Sequence, residues 1–234
     1  MRVNIDQDVL AKGLGSVAKA VNTKAAPILS NVWMRAEGDK LEMLVSNGDL
    51  TIDVICLAEV ESAGVAVLPA LTAAALVASA PAGTVSLEVA PCQHKLSVRN
   101  GRFVSELKGI DPEQYPLPAA PPALDMRVSG ASARQALRRV LPTVAKAEAK
   151  PIFTGVCLEL EGERLRFTAT DGIRLATQSI PLLSEATSSE LRAVLPTNAL
   201  RELERALNQS RDSSDAELEL GVTDSGIFGL RNTN

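Results

Sequence analysis

Histidine, aromatic residues and cysteine are scarce in this 234-residue chain, and each scarcity excludes a class of function. The single histidine, His94, excludes a histidine-rich metal site and a two-histidine mechanism. The six aromatic residues are too few to stack successive bases of a single strand. The three cysteines lie far apart without a CxxC spacing, which argues against a disulfide framework or a zinc ribbon. We therefore predict no metal and no cofactor.

Long apolar runs are missing as well. No segment reaches the ~18–20 apolar residues that a membrane span needs, and the longest run, at residues 68–82, is interrupted by Pro69 and Pro81. The first residues lack the apolar core of a signal peptide, so we expect a cytoplasmic protein with no membrane partner. A hydrophobic content of 46% is enough for a core and excludes a wholly disordered chain. The net charge of −4 argues against a wholly basic surface but permits a local one.

The main feature that the sequence does contain is an internal repeat. Residues 25–43 align without a gap on residues 149–167, and seven of the nineteen pairs are identical. Further along, Ala66–Pro69 recurs as Ala193–Pro196, and Val98–Asn100 recurs as Leu230–Asn232. Because the order of the matches is kept, the chain is interpreted as two copies of one module of roughly 120 residues.

A proline-rich stretch separates the two copies. Five of the thirteen prolines fall between Asp111 and Pro122, which predicts a stiff, extended linker. We place the first domain at residues 1–118, the linker at 119–125 and the second domain at 126–234. The first copy continues to Pro116, whereas the second stops just after Asn232, so we expect the second domain to lack its last strand.

Both modules show the same order of predicted elements: a strand, a helix, alternating strands, a second helix and further strands. Helices are predicted at residues 70–80, 131–147 and 197–208, with Pro142 ending or kinking the middle one. Acidic-glycine turns at residues 37–39 and 161–163 join successive strands as hairpins. Hairpin-length connections favour an antiparallel α+β fold over a doubly wound sheet.

Basic residues cluster in and just after the first helix of the second module, namely Arg134, Arg138, Arg139, Lys146 and Lys150. This cluster fits either a solvated helix face or a face that contacts the phosphates of a polyanion without reading bases. The corresponding part of the first module is weaker, because Asp6 and Asp8 offset Lys12 and Lys19, and Lys24 lies just beyond.

Motifs for catalysis are weak. Gly13-Leu-Gly15 lies inside a predicted helix, where its amides are not free to hold a phosphate. Asp171 and Glu161 could form a carboxylate pair, but Glu161 belongs to a turn that the first module repeats as Glu37. We therefore predict that the chain is not an enzyme. A small hydrolase that uses Asp171 is the enzymatic alternative.

Residues 151–176, which read PIFTGVCLELEGERLRFTATDGIRLA, resemble the central domain of the bacterial DNA polymerase III beta subunit, the replicative sliding clamp. Residues 27–32, 60–64 and 113–116 are similar to the first domain of that family. The resemblance implies a DNA clamp fold: two tandem, similar α+β domains, each with two helices against antiparallel sheets. It also implies a processivity factor that encircles duplex DNA and tethers the replicative polymerase. The DNA-facing residues implied by helix placement are Lys12, Lys24, Arg134, Arg138, Arg139, Lys146 and Lys150.

The same resemblance implies a shallow apolar pocket for short peptides of the polymerase, the clamp loader and other partners. Its residues in this chain are Phe153, Thr170, Gly172, Ile173, Arg174 and Leu175. Position 173 is commonly histidine in the family, and the first module has Ser46-Asn47 at the place of Thr170-Asp171. Family chains have three domains, so we expect the third to be absent here and a homo-oligomeric ring only if the chain is complete. The alternative is a shortened paralogue that binds partner peptides without encircling DNA.

Overall fold

The chain folds into two compact units, Met1–Ala119 (unit 1) and Ala120–Asn234 (unit 2). The structure, a computed structural model, describes residues 1–22, 26–90, 94–146, 150–184, 191–209, 217–222 and 228–232. The elements of unit 1 are β1 (Arg2–Asp6), α1 (Gln7–Val17), β2 (Asn31–Glu37), β3 (Lys40–Ser46), β4 (Thr51–Leu57), β5 (Glu59–Ser62), β6 (Gly64–Pro69), α2 (Ala70–Ser79), β7 (Thr84–Val89), β8 (Lys95–Asn100) and β9 (Phe103–Lys108). The elements of unit 2 are β10 (Met126–Ser129), α3 (Gly130–Val140), β11 (Gly155–Glu161), β12 (Arg164–Thr170), β13 (Leu175–Pro181), β14 (Arg192–Pro196), α4 (Thr197–Gln209), β15 (Glu217–Val222) and β16 (Phe228–Asn232).

The internal repeat of the sequence is also a repeat of topology. Unit 1 contains a four-stranded antiparallel sheet in the order β4-β3-β2-β6, and unit 2 contains one in the equivalent order β13-β12-β11-β14. The register is the same too. Trp33 lies opposite Leu44 and Val67 in unit 1, and the equivalent Cys157 lies opposite Thr168 and Val194 in unit 2. The prediction of two similar α+β domains with antiparallel sheets is confirmed.

The second sheet of each unit shares a three-strand order, β1-β7-β8 in unit 1 and β10-β15-β16 in unit 2. Unit 1 extends this sheet with β5 on one side and β9 on the other. In unit 2, the place of β5 is taken by a single bridge between Val128 and Leu182. The described part of unit 2 thus repeats the inner strands of the sheet.

The first helix of each unit begins at a side-chain cap. Asp6 accepts hydrogen bonds from the amides of Asp8 and Val9 at the start of α1, and Ser129 caps α3. Helix α3 ends at Val140, seven residues before the predicted limit, and passes into a 3-10 turn over Leu141–Thr143. The cause is Pro142, which cannot continue the helical hydrogen bonds.

Each unit has its own hydrophobic core between helices and sheets. In unit 1 the core includes Leu10, Leu14, Leu41 and Leu87; in unit 2 it includes Met126, Leu137, Leu158, Leu165 and Leu207. All are almost fully buried. Burial of one such side chain contributes about 1.5–3 kcal/mol before entropy is counted, so each unit gains its stability from these contacts.

A separate small cluster closes the outer face of the four-stranded sheet in unit 1. It consists of Trp33, Leu44, Val67 and Tyr115, and Tyr115 is only 4% exposed. The Tyr115 hydroxyl accepts a hydrogen bond from the Ser46 amide at 3.2 Å. Upstream, the Ile110 amide donates to the Val67 carbonyl at 3.0 Å. The first part of the proline-rich stretch therefore packs on unit 1.

The last part of that stretch packs on unit 2. The Asp125 amide donates to the Leu220 carbonyl at 3.0 Å. Gly221 lies so close to the Ala123 carbonyl that a Cβ would overlap with it, and Gly229 lies against the Pro122 ring. Residues 122–125 are thus held by β15 and β16 rather than spanning solvent.

Candidate functional site

The turn between β12 and β13 carries most of the residues assigned to the peptide pocket. The Asp171 carboxylate accepts hydrogen bonds from the amides of Ile173 (3.0 Å) and Arg174 (2.7 Å). It also binds the Arg174 guanidinium at 3.0 and 2.8 Å. The Thr170 hydroxyl donates to the Arg174 carbonyl at 2.7 Å and accepts from the Gly172 amide at 3.0 Å. Six hydrogen bonds therefore fix this four-residue loop, which we call the DG turn (residues 171–174).

Gly172 makes the DG turn possible because its φ is +90°. That backbone conformation is costly for residues with a Cβ. The hydrogen bonds to Asp171 hold its carboxylate charged and lower its pKa from 3.8 to about 2, with the Arg174 amide contributing most. Asp171 is thus a structural acceptor that organises the loop, as Asp-Gly pairs do in turns. A carboxylate with this pKa and these partners is a poor general base near neutral pH.

The DG turn and the first residue of β13 each present an apolar side chain to solvent. Ile173 is 95% exposed and Leu175 is 69% exposed. Phe153 is half-buried and lies against Gly172, where an added Cβ would be 3.6 Å from its ring. Ile152, next to Phe153 in the 3-10 turn Pro151–Thr154, is 65% exposed. Fixed, exposed side chains of this size are typical of surfaces that bind a partner.

Unit 1 contains a turn of the same design, between β3 and β4. Asn47 accepts hydrogen bonds from the amides of Asp49 and Leu50, as Asp171 does from Ile173 and Arg174. Gly48 has a φ of +95°. The side chains differ, because a charged Asp49 stands at the position of Ile173.

The outer face of the sheet next to each turn also differs between the units. In unit 1, Tyr115 covers Trp33 and Val67. In unit 2, the equivalent Cys157 is half-buried and Val194 is 44% exposed. Among the described residues, a turn with an exposed apolar side chain beside an open sheet face is therefore found in unit 2.

The predicted DNA-binding residues of α3 lie on its outer side, away from the buried Ala133, Ala136 and Leu137. Arg134 is half-buried, while Arg138 and Arg139 are exposed. Arg139 donates to the Gln178 side chain at 2.7 Å. Arg134 and Arg138 form no ion pair with any carboxylate in the described part of the chain, so their charges are available to an anion.

The remaining predicted DNA-binding residues are in different situations. Lys12 on α1 is exposed and pairs with Asp8 at 2.5 Å, which reduces its net charge effect. Lys146 is exposed beyond the end of α3. Lys150 is exposed, with its Nζ 5.3 Å from the centroid of the Phe153 ring. Lys24 lies outside the described residues.

The catalytic motifs weighed from the sequence have structural roles in this fold. Gly13 is buried in α1, and a Cβ there would overlap with the Met43 side chain. Glu161 pairs with Arg166 across the hairpin. Within the described ranges, no group of three or more His, Cys, Asp or Glu side chains is placed to hold a metal. No helix of that same part of the chain has the length and apolar character of a membrane span.

Three features of the site escaped the sequence reasoning. The Asp171 cap was detectable, because an aspartate before Gly-x-Arg is a turn signal. The closure of unit 1 by Tyr115 and the stacking of Lys150 on Phe153 depend on contacts between distant or loop residues. Neither leaves a periodic pattern in the sequence.

Comparison with known proteins matches both units to one family. Residues 1–119 match the model for "DNA polymerase III beta subunit, N-terminal domain", and residues 127–229 match the model for its central domain. A beta sliding clamp from Halalkalibacterium halodurans is 29% identical over 99% of this chain and 63% of its own length. A beta sliding clamp homolog, GriR, from Streptomyces muensis is 27% identical over 89% of this chain and 56% of its own. The chain thus spans less than two thirds of these relatives.

Solved structures give the same result for the fold. The crystal structure of a DNA polymerase sliding clamp from Bacillus subtilis superimposes with a TM-score of 0.88 and 25% sequence identity. The match covers all of this chain and 65% of that one. A sliding clamp from Pseudomonas aeruginosa, crystallised with griselimycin, matches all of this chain with a TM-score of 0.84 and 24% identity.

Proposed function

The chain belongs to the DNA polymerase III beta subunit family, and from this premise we propose that it acts as a sliding clamp. In this function, clamp domains surround duplex DNA and act as a processivity factor that tethers the replicative polymerase. The protein would hold DNA by enclosure and charge, without catalysis, in the cytoplasm where the nucleoid lies. It would need further clamp domains to close a ring, from its own chain or from other copies.

The DNA contact proposed for this function is the outer side of α3. Arg134 and Arg138 lie one helical turn apart. Neither forms an ion pair with a carboxylate in the part of the chain that the structure describes. Lys146 adds a further exposed positive charge after the helix. Such side chains attract phosphates at any sequence, which suits a protein that slides. Arg139 contributes charge from the same helix while donating to Gln178.

The partner contact proposed for this function is the DG turn with Phe153 and Leu175. The observation that carries it is the nearly complete exposure of Ile173 on a loop held by six hydrogen bonds. A fixed loop that exposes an apolar side chain loses little conformational entropy when a peptide covers it. The proposed ligands are short apolar segments of the polymerase, the clamp loader and other proteins that share the site.

Retention on circular DNA tests the DNA contact. The double variant Arg134→Ala, Arg138→Ala should dissociate faster from nicked circular DNA in any assembled form. The slope of log affinity against log salt concentration should become shallower by about 0.9 for each phosphate contact that is lost. Arg192→Ala is the matched control, because it removes an exposed arginine of β14 that pairs with Glu159. Equal retention of the double variant and the wild type would reject the α3 assignment.

Linearising the DNA tests enclosure itself. A clamp that encircles the duplex is lost from the free ends, so its retention should fall sharply after the circle is cut. Peptide binding without retention on circular DNA would instead favour the shortened paralogue. Leu175→Ala distinguishes the two sites, since it should lower the affinity for the peptide and leave DNA retention unchanged.

A further inference from the structure

Helix α3, which carries the proposed DNA contact, also touches β13, the strand that begins directly after the DG turn. The helix packs on the inner side of this strand, where Ala176 and Ile180 join the core of unit 2. Gln178 lies between these two residues on the same side of β13, because side chains alternate along a strand. The Arg139 Nη1 donates to the Gln178 Oε1 at 2.7 Å. One hydrogen bond therefore joins the DNA-contacting helix to the strand of the proposed peptide site.

The two partners of this hydrogen bond are held to different degrees. Gln178 is half-buried, and its Nε2 donates to the Ser179 carbonyl at 3.3 Å, which leaves Oε1 to accept from Arg139. Arg139 is exposed and makes no second hydrogen bond or ion pair within the described ranges. Since a guanidinium carries five N–H donors, the others can bind a further acceptor. A guanidinium that is already held at one edge loses less conformational freedom when that acceptor binds.

A second contact runs from the end of α3 to the other side of the proposed peptide site. Beyond the helix, Val144 is buried in the core of unit 2. The next amide, that of Ala145, donates to the Phe153 carbonyl at 3.0 Å. The Phe153 ring in turn lies against Gly172 of the DG turn. Both sides of the peptide site are thus attached to the helix that carries the proposed DNA contact.

We propose that Gln178 is a positioning residue, which holds the Arg139 guanidinium for a DNA phosphate and thereby links DNA binding on α3 to the geometry of the DG turn. This inference rests on the proposed function. The link has two states, with the Arg139–Gln178 hydrogen bond formed or broken. A phosphate on the free donors immobilises the guanidinium and so favours the formed state. By thermodynamic linkage, any ligand of the DG turn that favours the formed state then strengthens DNA binding to the same extent.

The test follows backbone amide NMR resonances of the 234-residue chain. A blunt DNA duplex of about 15 base pairs is added at low salt, where phosphate contacts are strongest. In the wild type, the amides of α3 should shift, and those of Ile173 and Leu175 should shift with the same midpoint, because a single binding event causes both changes.

Variants on both sides of the hydrogen bond then locate the link. Gln178→Met keeps the length of the side chain and removes the acceptor, so it should weaken DNA binding about threefold, the usual effect of one hydrogen bond. It should also abolish the DNA-induced shifts of Ile173 and Leu175 while those of α3 persist. Arg139→Ala breaks the link from the helix and should abolish the same two shifts.

Thr177→Val is the matched control on the same strand. Thr177 lies on the opposite side of β13, and its hydroxyl is 3.3 Å from that of Thr168. This variant removes a side-chain hydrogen bond of β13 without touching Gln178. It should therefore retain the DNA affinity of the wild type and both sets of shifts.

Each contrary outcome has a distinct meaning. Unchanged or tighter DNA binding by Gln178→Met overturns the positioning role. Shifts of Ile173 and Leu175 that survive both Gln178→Met and Arg139→Ala, or that are missing in the wild type while α3 responds, overturn the link and leave the DNA contact intact. If no resonance of α3 moves, the DNA contact of the proposed function is itself wrong, and the inference fails with it.

Discussion

Replacing Gly172 by alanine probes the loop on which the proposed peptide site depends. Its φ of +90° costs an L-residue about 1–2 kcal/mol. Alanine also lowers the conformational entropy of the unfolded chain, which stabilises the folded state by about 0.4–1 kcal/mol. The new Cβ would be 3.6 Å from the Phe153 ring, an ordinary contact that adds no clash. The net loss of stability is therefore about 1 kcal/mol, set by backbone strain rather than by crowding.

The effect should be visible both in unfolding and in binding. A loss of about 1 kcal/mol in a unit of this size lowers Tm by about 4 °C, measured by calorimetry. The strained turn should also move Ile173 and Leu175 relative to Phe153, so the affinity for a short apolar peptide of a partner protein should fall.

Unit 1 offers a matched control for this variant. Gly48 has a φ of +95° in the equivalent turn, with nothing near its Cβ position. Gly48→Ala should therefore destabilise the chain to a similar extent and leave peptide affinity unchanged. An unchanged Tm for Gly172→Ala would refute the strain argument. Equal loss of affinity in both variants would show that general destabilisation, and not the DG turn, controls binding.

Three further predictions concern single contacts. The hydrogen bonds in the turn lower the pKa of Asp171 from 3.8 to about 2. Its carboxylate therefore stabilises the fold above about pH 4, and this contribution is lost as the pH falls from about 4 to 2. An NMR titration of the Asp171 carboxyl group with its midpoint near pH 4 would contradict this prediction. Tyr115→Phe removes the hydrogen bond to the Ser46 amide and should cost about 1 kcal/mol in chemical denaturation, whereas an unchanged midpoint would show that the hydroxyl is dispensable. Gly109→Ala would drive a Cβ into the Val67 carbonyl and should destabilise unit 1 by at least about 2 kcal/mol, so a stable variant would mean that this segment can shift outward without loss.

Most of the fold could be predicted because the repeat and the turn residues are local signals. The match of residues 25–43 to 149–167 fixed the equivalence of the two modules, and the structure shows the same sheet order in both. The glycine turns placed the hairpins, as Gly38 and Gly162 have φ values of +61° and +56°. Pro142 located the end of α3 because a proline stops a helix wherever the rest of the chain lies.

The site was less predictable, since its contacts join residues that sequence spacing does not relate. The proline content of residues 111–122 indicated an extended segment, but not that Tyr115 would be buried on Trp33. The basic cluster grouped Lys150 with the arginines of α3, because nearness in sequence hides that its ammonium lies on Phe153. Charge counts along a chain report proximity in sequence, whereas contacts depend on proximity in space.

The buried position of Tyr115 has a consequence for the order in which partners act. Since this side chain covers the outer sheet face of unit 1, each chain would have one proposed peptide-binding site, in unit 2, instead of two. Partner proteins would then compete for this site, and their concentrations and residence times would decide which one is bound. In an assembled ring, the number of partner peptides bound at the same time would not exceed the number of chains.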